Sequence, residues 1–414
     1  MKQQILQLLA LTVLMVSCGP KEIPSIGDKV YHVFDQEHLY FDPELTKDGI
    51  RVSDTEPFYI ESGRIMLRKL NIPKFERETK VSIIVEETSA GDRWDKAGSV
   101  FVMDANGVNM LTVAQKQYKL KHSDDAEQTD NYPGMIAEGE YKPAVELMRF
   151  MTPFGVGHYS KQDTSKYPNR MPVYIDGWAE KAMWKQDITQ LLPLLEGEVY
   201  IGVHIDTWTK EGYNVDVKLR FDESENAYAP AKKRWVAPVL NSVRYIPPQR
   251  GCDKFQRADM GTSVEIPENA KDVQLAYITT GHGGHSGGDE FVPTENIIKL
   301  DGEEFFKFTP WRTDCASFRR FNPTSGVWLK KRNVDYIDWE AKGYRTKEIE
   351  EPEASSDLSR SNWCPGSDVP PMIIPMDKIS GQHEITVSMP TAQKLKEGEQ
   401  NFWFVSAYLF GELN

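Results

Sequence analysis

The chain has no extended apolar heptad pattern and, beyond its N-terminal segment, no run of ~18 consecutive apolar residues. That argues against a coiled coil and against a helical membrane domain. Positive charge is also scarce: 49 Lys and Arg stand against 62 Asp and Glu, a formal net charge of -13. An acidic surface repels phosphates and anionic lipid heads, so nucleic acid is not expected as a partner and a neutral ligand such as a sugar or a peptide is favoured. There is no paired-glycine nucleotide fingerprint and no zinc-type Cys/His spacing. These absences argue against nucleotide-binding and metallohydrolase chemistry. Cysteine is limited to four residues. Setting aside Cys18, the remainder (Cys252, Cys315 and Cys364) is odd in number, so at most one internal disulfide forms, and spacing alone does not choose the pair.

What the sequence does have is aromatic residues, ten Trp and seventeen Tyr, among short alternating or apolar runs. Lys80 to Val85, Ser99 to Met103, Glu198 to Trp208, Val215 to Phe221 and Asn401 to Phe410 read as strands. Asn106-Gly107, Pro247-Pro248 and Asn322-Pro323 read as turns between them. The expectation is an all-β protein of two β-sandwiches, since 414 residues exceed one comfortable core. A polar stretch from Asp222 to Pro230 separates a domain over 24–226 from a second over 233–414. Lys121 to Lys142 and Asn333 to Ser356 are polar and read as solvated loops. At the N-terminus, Lys2 precedes the apolar run Ile5 to Val16 and Ser17-Cys18-Gly19, the layout of a bacterial signal peptide over 1–18 with a lipidated Cys18. Simple cleavage without lipid is the alternative. The expected location is the outer membrane, held only through that lipid anchor, with the rest of the chain a soluble monomer.

The most informative segment is Thr279 to Phe291, which follows the strand-like Val273 to Ile278. It carries five glycines and opens onto Asp289 and Glu290, so backbone and carboxylate can approach a ligand without Cβ clashes. His282 and His285 within it have no third ligand at hand, and hydrogen bonding within the turn is their plainer reading, as a solvated loop acid is for Glu290. In Glu198 to Trp208 the period of two sets Tyr200, His204, Asp206 and Trp208 on one face. An acid beside an indole suits a sugar, the carboxylate accepting hydroxyl hydrogens and the ring covering C–H groups. Water on an exposed strand face would explain the same pattern. Trp94-Asp95 follows a polar loop after Val85, which places Asp95 at the mouth of a sheet or, more plainly, in a turn.

Together, several segments resemble the peptide-N-glycosidase F family, bacterial secreted amidases. They are Asp92-Arg93-Trp94-Asp95 with Ser99 to Val102; Arg149 to Phe154; Asp206-Thr207-Trp208; Gly288 to Phe291; and Asp357 to Gly366, in matching order from about residue 75 onward. The resemblance implies two antiparallel eight-stranded jelly-roll domains packed side by side, with an interdomain site and neither metal nor cofactor. It implies hydrolysis of the bond between asparagine and the first N-acetylglucosamine of an N-glycoprotein or glycopeptide. Asp95, Glu290 and Asp206 fall on the family's acidic positions, Arg360 on an arginine of its site. Trp94, Trp208, Trp363 and His282 are candidate substrate contacts, and Cys315 with Cys364 the family's last disulfide. The chain departs from the family's best-known member by Asp rather than Glu at 206, Lys rather than Arg at 96, Thr280 for a tryptophan, and Gly288 with Phe291-Val292 for a cysteine pair. A glycan-binding lipoprotein of the same fold and an endo-acting glycosidase are the alternatives.

Overall fold

The computed structural model describes residues 21–121, 132–161, 175–249, 254–283, 288–376, 379–394 and 401–414. The expected signal peptide with Cys18, and Cys252 and His285, lie outside the described residues. The first sandwich is built from β1 (Lys29–Leu39), β2 (Phe58–Ile60), β3 (Ile65–Ile72), β4 (Thr79–Ser89), β5 (Ala97–Asp104), β6 (Val145–Met151), β7 (Ala182–Asp187), β8 (Gly197–Ile205) and β9 (Tyr213–Glu223). The remaining strands are β10 (Arg234–Asn241), β11 (Met260–Ile266), β12 (Ala270–Gly283), β13 (Asn296–Leu300), β14 (Glu303–Phe308), β15 (Val327–Asp338), β16 (Gly343–Ala354), β17 (Asp368–Val369), β18 (Met372–Pro375), β19 (Gly381–Ser388) and β20 (Asn401–Leu413). All ladders between these strands are antiparallel.

Four sheets stack face to face. The order β1-β9-β4-β7 packs on β17-β6-β5-β8-β3-β2, and β10-β20-β12-β18 packs on β11-β19-β13-β14. Alternation shows how they stack. On β12, Leu275 and Tyr277 enter the second sandwich's core with Ile298 and Ile385, while Ile278 faces the first sandwich with Phe101 and Tyr245. Strand β5, in the middle of the six-stranded sheet, is therefore covered on both faces, which is why Gly98 to Met103 is buried without interruption.

The halves also exchange segments. β17, from the second half of the chain, pairs with β6. In return, Met135 enters the second core, and its carbonyl accepts the Asn241 N–H at 2.7 Å. This part of Lys121 to Lys142 is thus docked rather than a solvated loop. Arg149 locks the junction: it pairs with buried Glu146 at 2.6 Å, and its Nη1 donates to the Phe404 carbonyl at 2.6 Å and to Thr280 Oγ1 at 3.3 Å.

Two other expectations are corrected. Asn333 to Ser356 forms most of a regular hairpin, β15 with β16, because its charges alternate in sign across the strands rather than repelling along them. The face of β8 that carries Tyr200 and His204 is buried against Tyr245 rather than open to water. The strand ends at Ile205, where Thr207 N–H turns back to the Ile205 carbonyl at 2.7 Å, so Asp206 and Trp208 sit in the following loop.

Candidate active site

Asp95 lies in the loop between β4 and β5, and the backbone on both sides of it is fixed. Tyr213 Oη donates to the Trp94 carbonyl at 2.6 Å, and Lys96 N–H donates to Thr152 Oγ1 at 2.8 Å. Thr152 N–H returns a bond to the Lys96 carbonyl at 2.9 Å. Upstream, the buried Asp92 carboxylate accepts the Trp94 N–H at 3.1 Å and the Thr207 hydroxyl at 2.8 Å. One aspartate thereby ties the Asp95 loop to the loop that carries Asp206.

Glu290 comes from the other sandwich, just after β12. Its carbonyl accepts the Ser361 N–H at 3.0 Å, while Gly281 N–H donates to the Ser361 carbonyl at 3.2 Å. Glycine at 281 is required by this close approach, since a Cβ there would lie 2.6 Å from the Asp289 carbonyl oxygen. Asp289 is a buried brace: its N–H donates to Asn401 Oδ1 at 2.8 Å, and its Oδ1 accepts Thr294 Oγ1 and Gln393 N–H, both at 3.0 Å. These bonds hold the loop where the family's best-known member has cysteines.

Arg360 joins the two carboxylates. Its Nε donates to Glu290 Oε1 at 3.0 Å and its Nη2 lies 3.8 Å from Asp95 Oδ2. The guanidinium is buried, donates to the Leu358 carbonyl at 2.9 Å, and stands over the rings of Trp363 at 4.8 Å and Phe291 at 5.0 Å. Burial pushes the Glu290 carboxyl up to about 7, against the pull of Arg360 and with help from the Asp95 charge. Burial raises Asp95 as well, and Arg360 and Lys96 oppose it. Two acids that resist ionisation are held by one cation across the junction, and Glu290 can give and take a proton near neutrality.

Asp206 forms a second, adjacent cluster. Its N–H donates to the Ala97 carbonyl at 3.0 Å, just past Asp95, and its carboxylate pairs with buried Arg64 at 3.2 Å. Arg64 also faces Glu61 at 3.8 Å and stands 4.3 Å from the Trp208 ring centre. Trp208 and Trp94 are both exposed. Trp363 and His282 are not: Trp363 Nε1 donates to the Gly281 carbonyl at 2.8 Å, and His282 lies between the rings of Trp363 and Phe402 with its Nε2 at 2.7 Å from Thr280 Oγ1. Burial, with Arg149 and Arg244 nearby, pushes His282 well below its usual range and keeps it neutral. Both residues support Arg360 from behind, and their geometry gives no direct path to a substrate.

Arg64, Tyr213, Thr152 and the role of Asp92 were not foreseen from sequence. Asp92, as the first residue of the Asp-Arg-Trp-Asp motif, and Thr152, within the Arg149 to Phe154 motif, carried a signal. The disulfide Cys315–Cys364 is formed, and closes a separation of 49 residues around the segment that ends in Arg360 and Trp363. Replacing both cysteines with alanine is expected to lower unfolding free energy by about 4 kcal/mol, read from denaturant midpoints.

Fold and site define a two-sandwich protein whose junction carries a carboxylate cluster. The chain belongs to the peptide-N-glycosidase F family: the model of that enzyme's N-terminal domain matches residues 30–221 and the model of its C-terminal domain matches 252–410. Among solved structures it is similar to PNGF-II in C2 and P21 crystal forms, at 30% and 31% identity, both with a TM-score of 0.74. The matches cover 94% of this chain but only 65% and 66% of those chains. The fold is also shared with PNGase F, described as a glycosylasparaginase from Flavobacterium meningosepticum, at 15% identity, TM-score 0.57, and 94% and 96% coverage. No curated protein sequence matches.

Proposed function

We propose that the chain hydrolyses the amide between asparagine and the first N-acetylglucosamine of an N-glycoprotein or glycopeptide. The observation that carries this reading is Asp95 and Glu290, one from each sandwich, meeting on the buried Arg360. Family membership supports it. Water oxygen bonds to the amide carbon and the carbon–nitrogen bond breaks. One water proton ends on the departing nitrogen, which leaves as a glycosylamine, and asparagine becomes aspartate. Amide nitrogen leaves poorly unless protonated, so the site needs a group that gives and takes a proton near neutrality. Glu290, raised to about 7, meets that need. Asp95 orients the sugar–amide junction and takes part in the transfer. Arg360 keeps the two acids together and limits how far their charge is disfavoured. Trp94 and Trp208 cover sugar faces.

Incubation with a purified N-glycopeptide, followed by mass spectrometry of both products, tests the reading. An amidase gives aspartate and an intact glycan. One sugar left on asparagine would assign an endo-acting glycosidase, and an unchanged peptide a glycan-binding protein.

Asp206→Glu restores the family's longer acid and keeps a carboxylate for Arg64, so it should retain activity. Asp206→Ala removes a charge-assisted bond and should lower kcat/KM by about tenfold or more. Steady-state kinetics on one glycopeptide compares the two.

A further inference from the structure

The hairpin β15–β16 stands apart from both sandwiches, forming a two-stranded sheet of its own with mostly exposed residues. A free two-stranded ribbon is marginal by itself. This one is tied by cross-strand charges: Lys331 with Glu348 at 3.1 Å, Lys330 with Glu353 at 3.0 Å, Arg332 with Glu351 at 2.6 Å and Arg345 with Asp338 at 3.0 Å. Its turn is ordered, Asp338 Oδ1 accepting the N–H groups of Glu340 and Ala341, both at 3.0 Å.

The root of the hairpin is at the candidate active site. Thr324 Oγ1 donates to the Arg93 carbonyl at 2.7 Å, and Thr324 N–H to the Phe154 carbonyl at 3.1 Å. Phe154 lies against Trp94, ring centres 6.4 Å apart. On the returning strand the chain runs through Asp357, paired with Arg319, directly to Arg360. Each strand has 12 residues, so at about 3.3 Å per residue the ribbon extends about 36–40 Å from this root.

Along the stem the charges satisfy one another. At the tip three large apolar groups do not: Ile337 is 47% exposed, its cross-strand partner Tyr344 81%, and Trp339 in the turn 83%. Trp and Tyr lead the contact types at protein interfaces. Arg345 and Asp338 are paired with each other, and an aliphatic Ile completes the patch beside the two rings. An apolar tip this far from the chemistry meets only a substrate of macromolecular size.

We propose that this hairpin is an arm that grips the polypeptide surface of a folded N-glycoprotein whose glycan lies in the Asp95–Glu290 site. The inference rests on the function proposed above. Trp339→Ala combined with Tyr344→Ala removes the tip without touching the site or either core. Parent and variant chains are compared on a folded N-glycoprotein and on a short glycopeptide cut from it. On the folded protein kcat/KM should fall about tenfold, and on the glycopeptide it should be unchanged. Equal losses on both substrates, or none on either, would overturn the proposal. So would a parent that dimerises in sedimentation while the variant does not, which would assign the tip to a second copy. A parent that releases glycan from neither substrate defeats the function reading, and this arm with it.

Discussion

Asp95→Asn should abolish glycan release while leaving the fold intact, with kcat reduced by about 10²–10⁴-fold, the range for loss of a positioned proton-transfer group. The side chain is nearly isosteric, and the loop is held by bonds to Trp94 and Lys96 backbone rather than by the carboxylate. Burial disfavours the charge at 95, so thermal stability should be equal or slightly higher. A further consequence follows at Glu290. The Asp95 charge is one reason its carboxyl is raised, so the variant should titrate Glu290 at lower pH, a shift visible by carbon NMR of labelled glutamate. Near-parental turnover would remove Asp95 from the chemistry.

Arg360→Leu should be the most damaging change to stability. It leaves the half-buried Glu290 and Asp95 with their shared cation gone, and breaking such a cluster costs up to about 3–5 kcal/mol. The sign of its pH dependence is fixed by the same geometry. Arg360 lowers Glu290, so its loss moves that carboxyl above about 7. A carboxyl whose folded pKa exceeds its unfolded value loses stability as pH rises from the unfolded value through the folded one. Urea midpoints should therefore show a large deficit at alkaline pH that shrinks toward pH ~5. A deficit that grows on acidification would contradict this assignment.

Much of the fold was legible because strand periodicity survives wherever one face is buried. Val81, Ile83 and Val85 alternate inward on β4 as their spacing predicts. Asp95 at the mouth of a sheet and Glu290 after a glycine-bearing strand end were both placed by local rules alone. Periodicity failed on β8 for a tertiary reason. Tyr200 and His204 look like an exposed face, but a second sandwich covers it, and nothing within nine residues of strand can announce that cover. The charged hairpin failed differently: Glu348 and Glu351 read as loop charges in sequence and as partners of Lys331 and Arg332 once the strands are paired. Arg64 gave no signal because its partner Asp206 lies 142 residues away. Trp363 could be read from sequence as a sugar contact or as core, and in the structure it stacks with His282 beneath Arg360.

The departures at 288 and 291–292 also have a physical answer. Asp289, Asn401, Thr294 and Ser361 hold the Glu290 loop with buried hydrogen bonds.

The most direct measurement is hydrolysis of an N-glycopeptide in heavy-oxygen water. The proposed reaction joins water oxygen to the asparagine side-chain carbon. It therefore predicts a peptide with aspartate at the former glycosylation site, carrying one heavy oxygen in its side-chain carboxylate; the glycan, released as a glycosylamine, takes solvent oxygen at its reducing carbon only on later spontaneous hydrolysis. A peptide that keeps asparagine with one sugar attached and carries no heavy oxygen would contradict the account.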